Sequence, residues 1–359
     1  MGLLNILSTI YSTLRISRVN KEQITSFQQQ RFRKLLRYAA AHSEFYQTLY
    51  KGIDIENCDL RGLPIVTKFE MMDNFDRFVT DKRLKLRQIQ EWSRDENNTG
   101  KYYLDKYILI YTSGSSGQPA LVIYTQKAME KVQANLFTRT ALIHKKPSIS
   151  HFLKMFFRLL LGTKVRSIAI VNPRGNIAAI PQFSSKGQDF FIQSKNISTF
   201  ESISDIVVQL NKIQPDWLIT YPSVIDLLAQ EQMTGHLDLT FNHPDSYIAV
   251  GGEPLSQQTK SLVLESWNKR LINIYGSAEC FTMATSCYAH NQLHTASNMS
   301  IIEVVDRDGN PVPDGQYGDK VLLTNLFNYT QPLIRYEIDD ITGYGMHNCE
   351  CGNHLPTTG

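Results

Sequence analysis

Apolar residues recur at helical spacing from residue 22 to about 50, where Phe32, Leu35, Leu36, Ala39 and Ala40 share one face. Gly62-Leu63-Pro64-Ile65-Val66-Thr67-Lys68 breaks that pattern, and a second helix restarts through Met71 and Met72. Short apolar runs at 107–111 and 121–124 read as strands separated by a Ser/Gly turn, and a helix is expected from Gln126 to about Leu142. The chain then alternates. Strands are expected at 167–171, 217–220, 247–250 and 271–275, with helices at 203–213, 224–232 and 257–267. Such alternation implies βαβ units and a mainly parallel sheet packed with helices on both faces. Near the end, strand-like runs at 301–305 and 320–323 flank Asp308-Gly309-Asn310-Pro311-Val312-Pro313-Asp314-Gly315, which predicts a hairpin or small barrel. The expected fold class is therefore α/β with a small β-barrel-like subdomain.

Composition adds limits. With 42% hydrophobic residues, the 359-residue chain has material for a large core. Thirty-seven basic against 34 acidic residues leave a net charge of +3, which gives no case for a nucleic-acid partner. Five unevenly spread cysteines suit a reducing compartment, and the expected location is the cytoplasm. Residues 1–10 are apolar without a basic start or a small-residue cleavage site, so they read as an amphipathic helix and not a signal peptide. No run is long enough to cross a membrane. The apolar stretch 152–161, interrupted by Lys154 and Arg158, reads as a packed helix, with contact to a membrane surface as its alternative.

The stretch with most chemistry is Thr112-Ser113-Gly114-Ser115-Ser116-Gly117-Gln118-Pro119. Two glycines permit a tight turn and close approach of a ligand, and successive amides in such a turn form an anion-binding concavity. The loop is neither a Walker loop nor a nucleophile elbow. A flexible Ser/Gly turn is the alternative on composition alone.

This loop resembles the phosphate-binding loop of the adenylate-forming superfamily of acyl- and aryl-CoA ligases, luciferases and adenylation domains. Three further stretches are similar to the family's, in the same order: Gly251-Gly252-Glu253-Pro254-Leu255, Tyr275-Gly276-Ser277-Ala278-Glu279, and Pro332-Leu333-Ile334-Arg335-Tyr336-Glu337-Ile338-Asp339-Asp340. The opening, Leu35-Leu36-Arg37-Tyr38-Ala39, Phe45-Tyr46 and 63–68, resembles the phenylacetate–CoA ligase-like subgroup, which includes relatives from capsular polysaccharide clusters. The resemblance implies the large N-terminal domain of that fold, divided as a helical segment at 1–100, a nucleotide- and acyl-binding core at 101–285 and a β-rich part at 286–359. The resemblance also brings a C-terminal lid domain in the family, which is expected to be absent from these 359 residues.

The implied activity is ATP-dependent conversion of a small carboxylic acid to an acyl- or aryl-adenylate, then transfer to the thiol of CoA or an acyl carrier protein. By resemblance Glu279 holds Mg²⁺, and Thr112 and Ser113 assist at the phosphates. Ser113, Gly114, Ser115, Ser116 and Gly117 cradle the phosphates of ATP or AMP. Gly252, Glu253, Pro254, Tyr275, Gly276, Ser277 and Ala278 surround the nucleotide, and Asp340 takes the ribose hydroxyls, with Asp339 as its neighbouring alternative. Phe137 and Tyr221, with Gly252, Tyr275 and Gly276, face the acid. Ser277-Ala278 departs from the family's x-Thr, and Ala120 stands where many members carry lysine. The subgroup also implies a structural Zn²⁺ held by Cys287, His294, Cys349 and Cys351, with His290 and His347 as rival ligands. An ATP- or AMP-binding scaffold, or a partial enzyme needing a further domain or partner, is the alternative function.

Overall fold

The computed structural model describes residues 2–112, 119–142, 164–173, 192–241, 246–287, 292–345 and 349–359. The readings at 113–118 and 152–161, and those for His290 and His347, lie outside the described residues.

Five strands form the parallel part of the main sheet: β3 (Val165–Val171), β4 (Ile192–Ser198), β5 (Trp217–Thr220), β6 (Tyr247–Gly251) and β7 (Leu271–Ser277). They lie in the order β4-β3-β5-β6-β7, every neighbouring pair parallel. Helices Ile203–Ile213, Pro222–Met233 and Gln257–Trp267 alternate with them, as the apolar periodicity predicts. Their inner faces join the strands in one core that includes Ile206, Leu210, Ile225, Leu228, Val250 and Val263. Strand β4 escapes the hydrophobic pattern because it is an edge strand, with most of its residues exposed.

Beyond β7 the sheet changes hand. Strand β8 (Cys280–Ser286) runs antiparallel to β7, because only residues 278–279 separate the two. A parallel return needs a crossover of a dozen or more residues. Strand β9 (Leu293–Thr295) pairs antiparallel with β8. The sheet is therefore mixed and not mainly parallel throughout. Strands β10 (Ser300–Val305) and β11 (Lys320–Asn325) form the expected antiparallel pair, joined by β12 (Tyr336–Ile338) in a separate three-stranded sheet. Two short strands at the end of the chain, β13 (Tyr344–Gly345) and β14 (Thr357–Thr358), return to the main sheet beside β9.

Strands β1 (Tyr107–Tyr111) and β2 (Leu121–Thr125) form an antiparallel pair by themselves. They are buried in the largest core cluster with Phe32, Leu35, Leu36 and Ala39, the expected helical face. The helix expected at 22–50 is two helices, Lys21–His42 and Glu44–Leu49. Ser43 closes the first through its amide, and its hydroxyl accepts from the Tyr46 amide to start the second.

Arg335 fastens the opening of the chain to the three-stranded sheet. Its buried guanidinium donates to Glu303 Oε2 at 3.2 Å and to the carbonyls of Arg61 and Leu63. Burial raises the Glu303 carboxyl and Arg335 opposes that rise. Arg335→Met leaves the Glu303 carboxylate buried without its cation, so a loss of about 3–5 kcal/mol is expected. Urea unfolding measures it, and an unchanged midpoint would refute this role.

Candidate active site

The C-terminal ends of β5, β6 and β7 lie side by side on one edge of the parallel sheet, where open α/β folds gather ligands. Tyr221 follows β5, Gly252 to Pro254 follow β6, and Tyr275 to Glu279 end β7 and begin the turn into β8. Three stretches separated by dozens of residues thus meet along one edge.

The backbone here has little freedom. A β-carbon on Gly276 would lie 2.2 Å from the Phe281 carbonyl oxygen of the returning strand, so no larger residue fits. The pairing of β7 with β8 is irregular between Tyr275 and Ser277. Gly252 has a φ of +80°, which turns the chain sharply off β6 and leaves Gly252, Glu253 and Pro254 exposed.

Glu279 is buried at the β7–β8 turn. Its Oε1 accepts from the Tyr336 hydroxyl at 3.3 Å, and its carbonyl accepts from Asn325 Nδ2 at 2.7 Å. Asp340 reaches the same region from the end of β12. Its Oδ2 accepts from the Tyr275 hydroxyl at 2.7 Å. Burial, and then the Asp340 carboxylate, hold the Tyr275 phenol well above its ordinary range. Tyr336 is shifted the same way by burial and Glu279. Both phenols therefore remain protonated donors aimed at carboxylates.

The β1–β2 hairpin is tied to this edge. The Tyr124 hydroxyl donates to the Ala278 carbonyl at 2.7 Å. The Ile123 amide donates to Gln331 Oε1, Gln331 Nε2 donates to the Leu121 carbonyl, and Asn328 Nδ2 donates to the Ile123 carbonyl. At the open end of the hairpin, Thr112 accepts at Oγ1 from the Ala120 amide and donates its own amide to the Ala120 carbonyl. Ser113, Gly114, Ser115, Ser116 and Gly117 lie outside the described residues, but the neck that carries them is set by these bonds.

Other expected site residues have structural partners. The Glu253 carboxylate accepts from the amide and hydroxyl of Ser223, capping helix Pro222–Met233. Phe137 is half-buried and packs on Trp217, with ring centroids 5.7 Å apart. Tyr221 is half-buried. Ser277 is half-buried and Ala278 buried at the turn.

The sequence reading did not single out Tyr124, Asn325, Asn328, Gln331 or Tyr336 as site supports. A signal for three of them is present: Asn325, Asn328 and Gln331 recur at a spacing of three beside the apolar run of β11, and all are buried. Buried amides of this kind need partners, and here the partners are the hairpin and the Glu279 turn.

Away from this edge, Cys287, His294, Cys349 and Cys351 converge from β8, β9 and the terminal loop, with their ligand atoms all within 4.8 Å of one another. Cys287 and Cys349 sulfurs are 3.5 Å apart, and His294 Nε2 lies 3.2 Å from Cys351 Sγ. His294 Nδ1 lies 3.1 Å from the Leu355 carbonyl. A proton on Nδ1 donates to that carbonyl and leaves the Nε2 lone pair facing the thiols. Burial, followed by the neighbouring thiol of Cys349, pushes the Cys351 thiol up to about 12. None of the five cysteines is in a disulfide.

Comparison with known proteins bears on this edge. Phenylacetate-coenzyme A ligase from Thermus thermophilus is 23% identical over 343 residues, which span 92% of this chain and 68% of that protein. Protein CapK from Staphylococcus aureus is also 23% identical over 343 residues, spanning 92% of this chain and 63% of its own length. Crystal structures of 2-hydroxyisobutyryl-CoA ligase share the fold. One, in complex with an R3-HIB-AMP ligand, gives a TM-score of 0.69 at 17% identity over 95% of this chain and 68% of that one. Another, an open conformation with 2-HIB-AMP and CoA, gives 0.65 at 16% identity over 95% of this chain and 75% of that one. The family model described as AMP-binding enzyme matches residues 86–322, more than half the chain, from ahead of the β1–β2 hairpin through the Glu279 turn into β11, and this chain therefore belongs to the AMP-binding enzyme family.

Proposed function

We propose that this chain joins a small carboxylic acid to AMP from ATP and then passes the acyl group to coenzyme A. The observation that carries the reading is that the β1–β2 hairpin is tied to the turn at Ala278–Glu279 by the Tyr124–Ala278 bond and that Asp340 is tied to Tyr275 at the end of β7. The names of the ligases it resembles support the same chemistry. On this division residues 1–100 pack on a core at 101–285, and 286–359 form the cysteine-bearing part.

In the first step a carboxylate oxygen attacks the α-phosphorus, the α–β phosphoanhydride bond breaks and pyrophosphate leaves. In the second a thiolate attacks the acyl carbon and AMP leaves. Both reactants in the first step are anions, so the work falls on positioning and charge neutralisation. Amides at 113–117, with the hydroxyls of Thr112 and Ser113, receive the phosphates in this reading. Asp340 accepts from the ribose hydroxyls while the Tyr275 phenol keeps its carboxylate in place. Tyr221 and Phe137 border the acid, with Gly252 and Gly276 leaving room for close approach. Glu279 offers a hard oxygen suited to Mg²⁺, which when bound would screen the phosphate charge. Tyr336 orients that carboxylate. The cytoplasm as location completes the reading, and an acyl carrier protein is the alternative acceptor thiol.

Carboxylate-dependent pyrophosphate–ATP exchange across a panel of acids tests it. At least one acid supports exchange, and Glu279→Gln lowers the rate by about 10²-fold or more, the scale seen when one preorganised electrostatic contact is removed. Nucleotide binding with no exchange for any acid would favour the binding-only reading. Asp340→Asn is expected to raise the KM for ATP about tenfold or more, as loss of a charged hydrogen-bond partner costs about 1.5–3 kcal/mol. An unchanged KM in that variant removes Asp340 from the ribose.

The Cys287, His294, Cys349 and Cys351 cluster is proposed to hold a structural Zn²⁺. Three sulfurs and one imidazole suit a closed tetrahedral zinc site, and a doubly charged cation would offset the cost of ionising three neighbouring thiols, one buried and two half-buried. Elemental analysis of purified protein is expected to find about one zinc per chain, and Cys349→Ser to lose it together with several degrees of melting temperature. Metal-free protein of unchanged stability rules the site out.

A further inference from the structure

The N-terminal helix Gly2–Ile16 has a mixed inner side, where Thr9 and Thr13 are 6% and 0% exposed and Ile16 is 2% exposed. Leu4, Leu7 and Tyr11, one helical face at spacings of three and four, are 75%, 52% and 66% exposed. A helix held to a globular core normally turns large apolar side chains such as these inward.

The inner side is held by hydrogen bonds. Asn5 Nδ2 donates to the Lys127 carbonyl and to Glu130 Oε2 on helix Gln126–Phe137. Thr13 Oγ1 lies 3.2 Å from Asn135 Oδ1 and accepts from Asn298 Nδ2 at 2.8 Å. The helix is therefore anchored without Leu4, Leu7 and Tyr11, and the stripe they form is available while the fold stays intact.

Charge decides what covers the stripe. Arg15 and Arg18 continue the exposed face and Lys21 follows, all exposed and none in an ion pair with a described residue. The first acid of the chain is Glu22, and the carboxylate that meets the helix from its neighbour, Glu130, is buried beneath it. A second copy seated on this patch would set it against itself, cations included, with no acid among residues 1–21 to pair them. An anionic bilayer supplies both an apolar interior for the leucines and phosphates for the cations. We propose that the face of Leu4, Leu7 and Tyr11, bordered by Arg15, Arg18 and Lys21, docks the protein on an anionic lipid surface.

Co-sedimentation of the full chain with phosphatidylcholine vesicles, with and without about one third phosphatidylglycerol, tests this. The bound fraction is expected to be at least about fivefold higher on anionic vesicles and to fall in high salt. The variant Leu4→Ser/Leu7→Ser/Tyr11→Ser should lose binding at an unchanged melting temperature, because its side chains are exposed. Arg15→Gln/Arg18→Gln/Lys21→Gln should lose the preference for anionic lipid. Failure of the wild-type chain to bind either vesicle overturns the proposal, as does undiminished binding by the serine variant. Analytical ultracentrifugation showing a dimer that the serine variant abolishes, without vesicle binding, overturns it in favour of a second copy.

Discussion

Strand β7 has a parallel neighbour on one side and an antiparallel one on the other, and the chain reverses between them in residues 278–279. Everything at the candidate site answers to that reversal. It places a buried carboxylate, Glu279, at the C-terminal edge of the parallel strands. It also brings the Phe281 carbonyl so close to Gly276 that a single β-carbon would collide with it. The geometry is steric, and no side-chain choice elsewhere relaxes it.

A tight turn at a sheet edge needs support from outside the sheet, and the support here is polar. Asn325, Asn328, Gln331 and the hydroxyls of Tyr124, Tyr275 and Tyr336 bind the turn, the β1–β2 hairpin and Asp340 into one connected set. In a buried setting each of these bonds is costly to lose, because the abandoned partner has no water to replace it. Polar support of this kind fixes the turn, the hairpin and Asp340 relative to one another without a ligand. Arg335 plays the same part between the opening of the chain and the three-stranded sheet, binding Glu303 of β10 and the carbonyls of Arg61 and Leu63.

The N-terminal helix shows polar support used differently. Thr9, Thr13 and Asn5 face the protein beside Ile16, while Leu4 and Leu7 do not. The cysteine–histidine cluster gathers the other end of the chain onto β8 and β9. Neither feature belongs to the edge that carries Glu279 and Tyr275, and each has its own chemistry.

Much of this was readable along the chain. Helices Ile203–Ile213 and Gln257–Trp267 and strands β1 and β5 match the apolar periodicity to the residue, because each buries one face or is buried on both. Cys287, His294, Cys349 and Cys351, a set that the resemblance and not the apolar pattern implied, lie together in the fold. What sequence could not supply was pairing at a distance. Strand β4 is polar because it is an edge, so its periodicity is silent. That β8 turns back against β7 depends on the length of a two-residue connection and on Gly276, and nothing in the apolar pattern marks it. The amphipathic character of the first helix was legible, but its orientation was not. Which side faces inward was decided by Asn135, Glu130 and Asn298, residues more than a hundred positions away whose unmet hydrogen bonds only the folded chain brings to Thr13 and Asn5.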